Sequence, residues 1–196
     1  MMSTIFFLLI ICFFAFSALG VSLWISLMYG GESVSLFNGK NLEGWKAKNC
    51  TAEVVNGCLH IKSGVGMLIT EKQYGDYILE MEWKALNKDV WDSGIYFRCI
   101  PENEKSWPDK YLIWIKKGQE GSLAGIPSTV TAYCKEHEWN YFKLSVKGNT
   151  AVMEINGQHA WRFDRLEIME GFISLRANVP SGGQFMFKNI QIYTLN

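Results

Sequence analysis

The chain has 196 residues, with 19 basic side chains against 19 acidic ones, a length that suits one domain with an N-terminal addition. There is no Lys/Arg run and no basic stripe, which excludes nucleic acid as a partner held through its phosphates. Aromatic residues reach 14% and include eight tryptophans, flat apolar faces that serve core packing and also stacking on sugar rings.

From Ile5 to Tyr29 no residue is charged, and the first lysine is Lys40. A stretch of that length predicts one apolar helix able to cross a bilayer, which takes about 20 residues. A cleaved secretory signal is the competing reading, because Ala18-Leu19-Gly20 offers a small-x-small site. Against it, apolar residues resume over Val21–Met28 and the positive n-region is missing. Cys12 follows Ile11 rather than the small residue that lipidation requires. Residues 1–33 are therefore read as a signal-anchor or signal peptide with a short linker, and residues 34–196 as the folded domain. That domain is expected to be exported: membrane-anchored and periplasmic or extracellular, or secreted if the leader is cleaved.

The remainder reads as short strands. Ser35–Lys40 is a strand and turn, followed by Leu42–Trp45. Asn56-Gly57 is a strong hairpin signal, and a two-residue turn there pairs Val55 with Cys58 and Glu53 with His60. Cys50 then lies too far from Cys58 for a disulfide. Gly66–Thr70 is a short strand. Over Asp76–Ala85 the alternation is strict: Tyr77, Leu79, Met81, Trp83 and Ala85 point to a core, and Ile78, Glu80, Glu82 and Lys84 point away. Ser93–Cys99 continues with Ile95, Phe97 and Cys99 inward and Gly94, Tyr96 and Arg98 outward. Tyr111–Lys117 places Leu112, Trp114 and Lys116 on one face. A hairpin at Gly148-Asn149 pairs Leu144 with Met153, Phe142 with Ile155 and Lys143 with Glu154. Asn156-Gly157 turns the chain back through His159 and Trp161. The last strands are Gly171–Ala177 and Gln184–Leu195, the latter with a change of apolar phase that predicts a bulge near Lys188-Asn189. At least eleven short strands with tight turns predict an all-β fold, a two-sheet antiparallel jelly-roll sandwich.

If the Asp76–Ala85 and Ser93–Cys99 strands are adjacent, Glu82, Tyr96 and Arg98 share one surface, where a carboxylate, a phenol and a guanidinium suit a polyhydroxylated ligand. Glu82 with Arg98 is equally readable as a surface salt bridge, and Asp92 as a turn residue or a site acid. Arg176 and Lys116 are cations that could hold sugar oxygens. Trp91, Trp107 and Trp114 offer a stacking platform, although Trp91 and Trp107 also suit loop packing. His60 and His159 lie opposite Glu53 and Glu154 and read as cross-strand polar pairs. Glu136-His137-Glu138 has metal-ligand residue types, yet successive residues at a strand start diverge, so no metal is assigned. The four cysteines after residue 33 match neither a zinc spacing nor a nucleophile motif, and pairing of Cys99 with Cys134 stays open.

Taken together, SLFNGKNLEGW (35–45), DYILEMEWK (76–84), DSGIYFR (92–98), GSLAGI (121–126), EWNYFKLSVKGN (138–149), INGQ (155–158) and GFISL through FKNIQI (171–192) resemble the 3-keto-disaccharide hydrolase family. The resemblance implies a concanavalin-like jelly roll acting on glycosides whose 3-hydroxyl has become a ketone. Such a ketone acidifies the C2 proton, so a base removes it, the glycosidic oxygen is expelled, and water adds to the resulting enone. The chemistry needs a carboxylate or imidazole base and a cation for the enolate oxygen. No resident cofactor is implied, although a divalent metal could replace that cation.

The sequence departs from the family pattern at Leu112 and Trp114, where an acid and Gln are usual, and at Arg176 and Asn178, where Gln and His are usual. Asp92 replaces an Asn before Ser-Gly, and Lys188 an Arg before Asn-Ile. Two functions are therefore expected. One is a hydrolase with Glu82 or Asp92 as base and Arg98, Arg176 or Lys116 at the enolate. The other is a carbohydrate-binding module that has lost catalysis, with Trp91, Tyr96, Trp107, Trp114, Lys116, Arg176 and Asn178 around the sugar. An envelope interaction domain without a sugar ligand is a third.

Overall fold

A computed structural model describes residues 32–102, 104–126 and 130–195. The expected apolar helix over Ile5–Tyr29, with its anchor and signal readings, lies outside them. Among the described residues no helix is long and apolar enough to cross a membrane.

Eleven strands make up the described fold: β1 (Ser33–Ser35), β2 (Trp45–Val55), β3 (Cys58–Thr70), β4 (Tyr77–Ala85), β5 (Asp92–Cys99), β6 (Leu112–Lys116), β7 (Asn140–Lys147), β8 (Thr150–Ile155), β9 (Gln158–Phe163), β10 (Phe172–Asn178) and β11 (Phe185–Thr194). Short 3₁₀ turns occupy Val130–Tyr133 and Val179–Ser181. The hairpins follow their local chemistry. Asn56 and Gly57 sit at φ 50° and 76°, the left-handed pair that a two-residue hairpin turn requires, and Val55 faces Cys58 with Glu53 facing His60. Leu144 meets Met153 and Phe142 meets Ile155. Asn189, at φ 51°, marks the bulge in β11, where the register against β4 slips between Lys188 and Gln191.

The strands form one hydrogen-bonded antiparallel path, β6-β5-β10-β3-β11-β4-β7-β8-β9, with β2 on β3 and β1 on β11. The expected division into two separate sheets is not seen, because β3 is long enough to serve both layers. Leu59 and Ile61 pair with β11, while Val65 to Ile69 pair with β10. The predicted short strand Gly66–Thr70 is thus the second half of β3. The path curls until β5 and β6 face β4, β7 and β8. Ile95 and Ile113 from one layer meet Leu79, Met81, Phe142, Leu144 and Met153 from the other around a void of about 10 Å³, as close-packed interiors require.

Alternation gives the inward set of β4 correctly: Tyr77, Leu79, Met81, Trp83 and Ala85 are all buried in the core. It fails at the end of β5. Arg98 takes φ 44°, and the register against β10 shifts so that Tyr96 faces Ser174 while Cys99 faces Phe172. This is a bulge, and one extra residue reverses the face of everything after it. Cys99 therefore joins Tyr96 and Leu112 in a small apolar cluster on the outer side. Arg98 turns inward instead.

Candidate functional site

The outer face of β5, β6 and β10 gathers most of the residues singled out from the sequence. Asp92 opens β5 opposite Lys116 of β6, and Gly94 lies opposite Trp114. On the other side Gly94 faces Arg176 and Tyr96 faces Ser174. Because cross-strand partners share a face, Asp92, Gly94 and Tyr96, Trp114 and Lys116, and Ser174, Arg176 and Asn178 all belong to one surface.

At its centre is a charge pair. Arg176 Nη1 donates to Asp92 Oδ1 at 2.5 Å, and Asn178 Nδ2 donates to Asp92 Oδ2 at 2.9 Å. The Arg176 guanidinium lies 4.1 Å from the Trp107 ring centroid and 5.4 Å from that of Trp114, within cation–π range of both. Trp107 reaches this position from the loop after β5, where its indole N–H donates to Gly66 O at 2.7 Å and Ala177 O at 3.3 Å. Lys48 on β2 holds that loop by donating to the carbonyls of Glu102 and Lys105. The Lys116 ammonium stands 5.8 Å over Trp114, and beside Trp114 a groove of about 280 Å³ opens against Gln119, Ser122 and Gly125.

Tyr96 forms the floor. Burial pushes its phenol up to about 12, with the Arg176 charge opposing the shift, so it stays a neutral donor and acceptor at ordinary pH. Ser174, not singled out from the sequence, also lies here. It is fully buried, and its hydroxyl has no hydrogen-bond partner. Its signal was available, since a period of two from Arg176 places it on the same face. Gly94 is the other omission. A Cβ there would lie 2.3 Å from Leu112 Cδ1 and 2.8 Å from Ile113 O, so any larger residue would press on β6.

Three expected members are elsewhere. β4 and β5 are not neighbours, because β10, β3 and β11 lie between them. Glu82 accordingly sits on the outer face of the other layer, accepting from Asn189 Nδ2 at 2.5 Å and pairing with Lys188 at 3.2 Å. The shared surface expected for Glu82, Tyr96 and Arg98 does not exist. Arg98, turned in by the bulge, has a fully buried side chain that pairs with Asp76 at 2.6 Å and donates to the carbonyls of Gly75, Gly148 and Ile168. Those contacts tie the end of β5 to the start of β4 and the β7–β8 turn. Trp91 is buried inside the sandwich, its indole N–H donating to Glu120 Oε1 at 2.9 Å, so it is no part of an outer platform.

The described cysteines are all free thiols, and Cys99 and Cys134 are not paired. Burial pushes both thiols up to about 12, with the Glu120 charge adding to the effect at Cys134. Glu53 and His60 make the expected cross-strand contact at 3.3 Å. Among the described residues no three His, Cys, Asp or Glu side chains converge on a metal position.

The family model described as the 3-keto-alpha-glucoside-1,2-lyase-like domain matches residues 32–193. A comparison with curated proteins found no match. Among solved structures, a Parabacteroides distasonis protein provisionally named a glycosyl hydrolase superposes with a TM-score of 0.70 at 18% identity, covering 85% of this chain and 95% of its own. Carbohydrate binding module CBM66 from Bacillus subtilis gives 0.58 at 12% identity over 77% and 96% of the two chains. A Bacillus licheniformis beta-glucanase gives 0.56 at 15% identity over 85% and 99%. At these identities the likeness is one of fold, an antiparallel jelly roll.

Proposed function

We infer, for a chain that belongs to the 3-keto-alpha-glucoside-1,2-lyase-like domain family, that the face formed by β5, β6 and β10 binds a glycoside oxidised at C3 and cleaves it. The observation carrying this reading is the contact of Asp92 with Arg176 beside Trp107 and Trp114. Of the positions at which the sequence departs from the family pattern, Lys188 lies on the other layer beside Glu82, and the rest share the face of β5, β6 and β10. Asp92, Trp114, Arg176 and Asn178 partner one another, as expected of a site rebuilt with a different residue set.

In this mechanism a sugar ring lies against Trp114, in the groove beside it. Asp92 takes the C2 proton, and the pair left behind forms the enolate between C2 and C3. Arg176, with Lys116 nearby, holds the enolate oxygen through N–H donors not used by Asp92. When the C3 carbonyl re-forms, C1 and C2 become doubly bonded, the C1–O bond breaks, and the leaving oxygen takes a proton. Water then adds to the enone, its oxygen to C1 and its proton to C2, which completes a net hydrolysis. Glu82 and Arg98 have no part in it.

A binding module is the second reading, favoured by a specific feature: both Asp92 oxygens already accept a hydrogen bond from the protein. The test is turnover of a 3-keto-glucoside by the full-length protein. On the enzyme reading Asp92→Asn lowers turnover by about a hundredfold or more, the share of a general base, while the ligand still binds. On the module reading wild type binds the sugar without turnover, and Trp114→Ala abolishes binding. Turnover that survives Asp92→Asn unchanged removes Asp92 as the base.

A further inference from the structure

A second cleft lies on the other side of β5. Trp91 and Asp92 are consecutive, so their side chains leave the strand in opposite directions: Asp92 reaches the outer face, and Trp91 the interior of the sandwich. There Trp91, Trp83 and Glu120 line a cleft of about 330 Å³ together with Thr131, Cys134 and His137. That volume is at the small end for ligand pockets, about 300–1,000 Å³, and admits one ring rather than a chain.

The polar groups of the cleft are incompletely matched. Trp83 is only 2% exposed, and its indole N–H has no partner. Nδ1 of His137 is buried without a partner too; its other ring nitrogen stands 3.9 Å from Glu136. Glu120 is 6% exposed. Its Oε1 accepts from the Trp91 indole and from Gly118 N. A buried donor left unmatched costs about 1–3 kcal/mol, and native interiors keep few of them.

We propose that this cleft is a second ligand site, built for a neutral polyhydroxylated molecule the size of one sugar ring. The pattern of donors and acceptors selects that class. A cation would suit Glu120 but cannot accept from Trp83, and the Lys117 ammonium already covers the Trp91 ring at 4.8 Å. An anion would accept from Trp83 but meets the Glu120 carboxylate. A hydroxyl both donates and accepts, so a ring bearing several can donate to the Glu120 carboxylate and accept from the Trp83 N–H together, with the indoles against its apolar face. The site is independent of the Asp92 face and stands whether or not that face is catalytic.

The test is a titration of full-length protein, kept in a detergent without a sugar headgroup, followed by NMR of the assigned indole N–H signals. The probes are glucose, galactose, mannose and xylose, with choline as the cation and acetate as the anion. At least one sugar shifts the Trp83 signal saturably, in wild type and equally in Trp114→Ala. Trp83→Phe, which keeps the aromatic packing, weakens the same sugar by about tenfold, the loss of one buried hydrogen bond; the Trp91 signal reports binding in that variant. A Trp83 response to choline or acetate and to no sugar overturns the proposal. So does a sugar response that disappears in Trp114→Ala, which would place the sugar on the outer face. Silence with all four sugars leaves a cavity filled by water and overturns it as well.

Discussion

Arg98 and Arg176 begin from the same kind of sequence position, a cation on the outward phase of a strand, and end in opposite chemical situations. Arg176 remains on the surface its phase predicts, stacked against Trp107 and paired with Asp92. Arg98 is carried inside by a single left-handed residue and spends its donors on Asp76 and three backbone carbonyls. Removing one partner of a buried ion pair typically costs about 3–5 kcal/mol. Asp76 keeps 33% exposure and is rehydrated when its partner goes, so Arg98→Met, close in volume and without the charge, should lower the urea-unfolding free energy by less, about 1–3 kcal/mol, from the carbonyls left without a donor. Sugar binding per folded molecule should be unchanged. A loss below about 1 kcal/mol, the scale of an exposed pair, would contradict the clamp. Trp114 and Arg176 were legible because alternation and the family resemblance both mark them, and Asp92 and Asn178 because the resemblance does. Arg98 was misplaced because nothing in Phe97-Arg98-Cys99 signals a bulge; the cause is tertiary, in the carbonyls that gather around the guanidinium.

Among the elements, turns were legible and strand neighbours were not. A hairpin is closed by its own residues, so Asn56-Gly57 and Gly148-Asn149 declare both place and register. The adjacency of β4 and β5 is a long-range matter, and the assumption that consecutive strands pair misassigned Glu82. The length of β3 was hidden for a related reason. Gly64, at φ 102°, and Gly66 look like interruptions, yet they admit the close approach of the β2 backbone, where a Cβ would lie 2.3 Å and 2.0 Å from the carbonyl oxygens of Asn49 and Lys48. Two other glycines separate backbone strain from crowding. Gly57 has a left-handed φ and open space around it, so Gly57→Ala should cost about 1–2 kcal/mol from backbone conformation alone. Gly94 has no such φ but would press on Leu112 and Ile113, and Gly94→Ala should cost about 1–3 kcal/mol by overpacking. It should also weaken sugar binding, because Trp114 lies opposite. Thermal unfolding and binding of both variants check this: equal binding in the two would mean that the floor of the outer face tolerates a methyl group.

For the molecule as a whole, the direction in which pH destabilises the fold follows from what the curled sheet buries. The carboxylates held below their ordinary range, Glu53, Asp109, Asp164 and Glu167, owe it mainly to lysine or arginine partners. All four pairs are at the surface, where salt screens them, so they contribute little to acid sensitivity. The groups raised by burial are different. Cys99 and Tyr96 lie together in the outer apolar cluster, and burial is the leading cause that lifts each to about 12. Their ordinary values are 9.0 and 10.0. The unfolded chain therefore releases these protons at lower pH than the folded one, so between the two values the native state binds more protons and stability falls as pH rises. Their contribution is complete below pH 9 and is lost progressively towards pH 12. Urea unfolding followed from about pH 7 upward should show a plateau and then this decline. Cys99→Ala should begin from a lower plateau, because it leaves a small cavity, and should then fall less steeply, because one of the burial-raised titrations, which include that of Cys134, is gone. A slope identical to wild type would show that Cys99 ionises without opening the cluster. That result would mean that water reaches the floor of the outer face in the folded state.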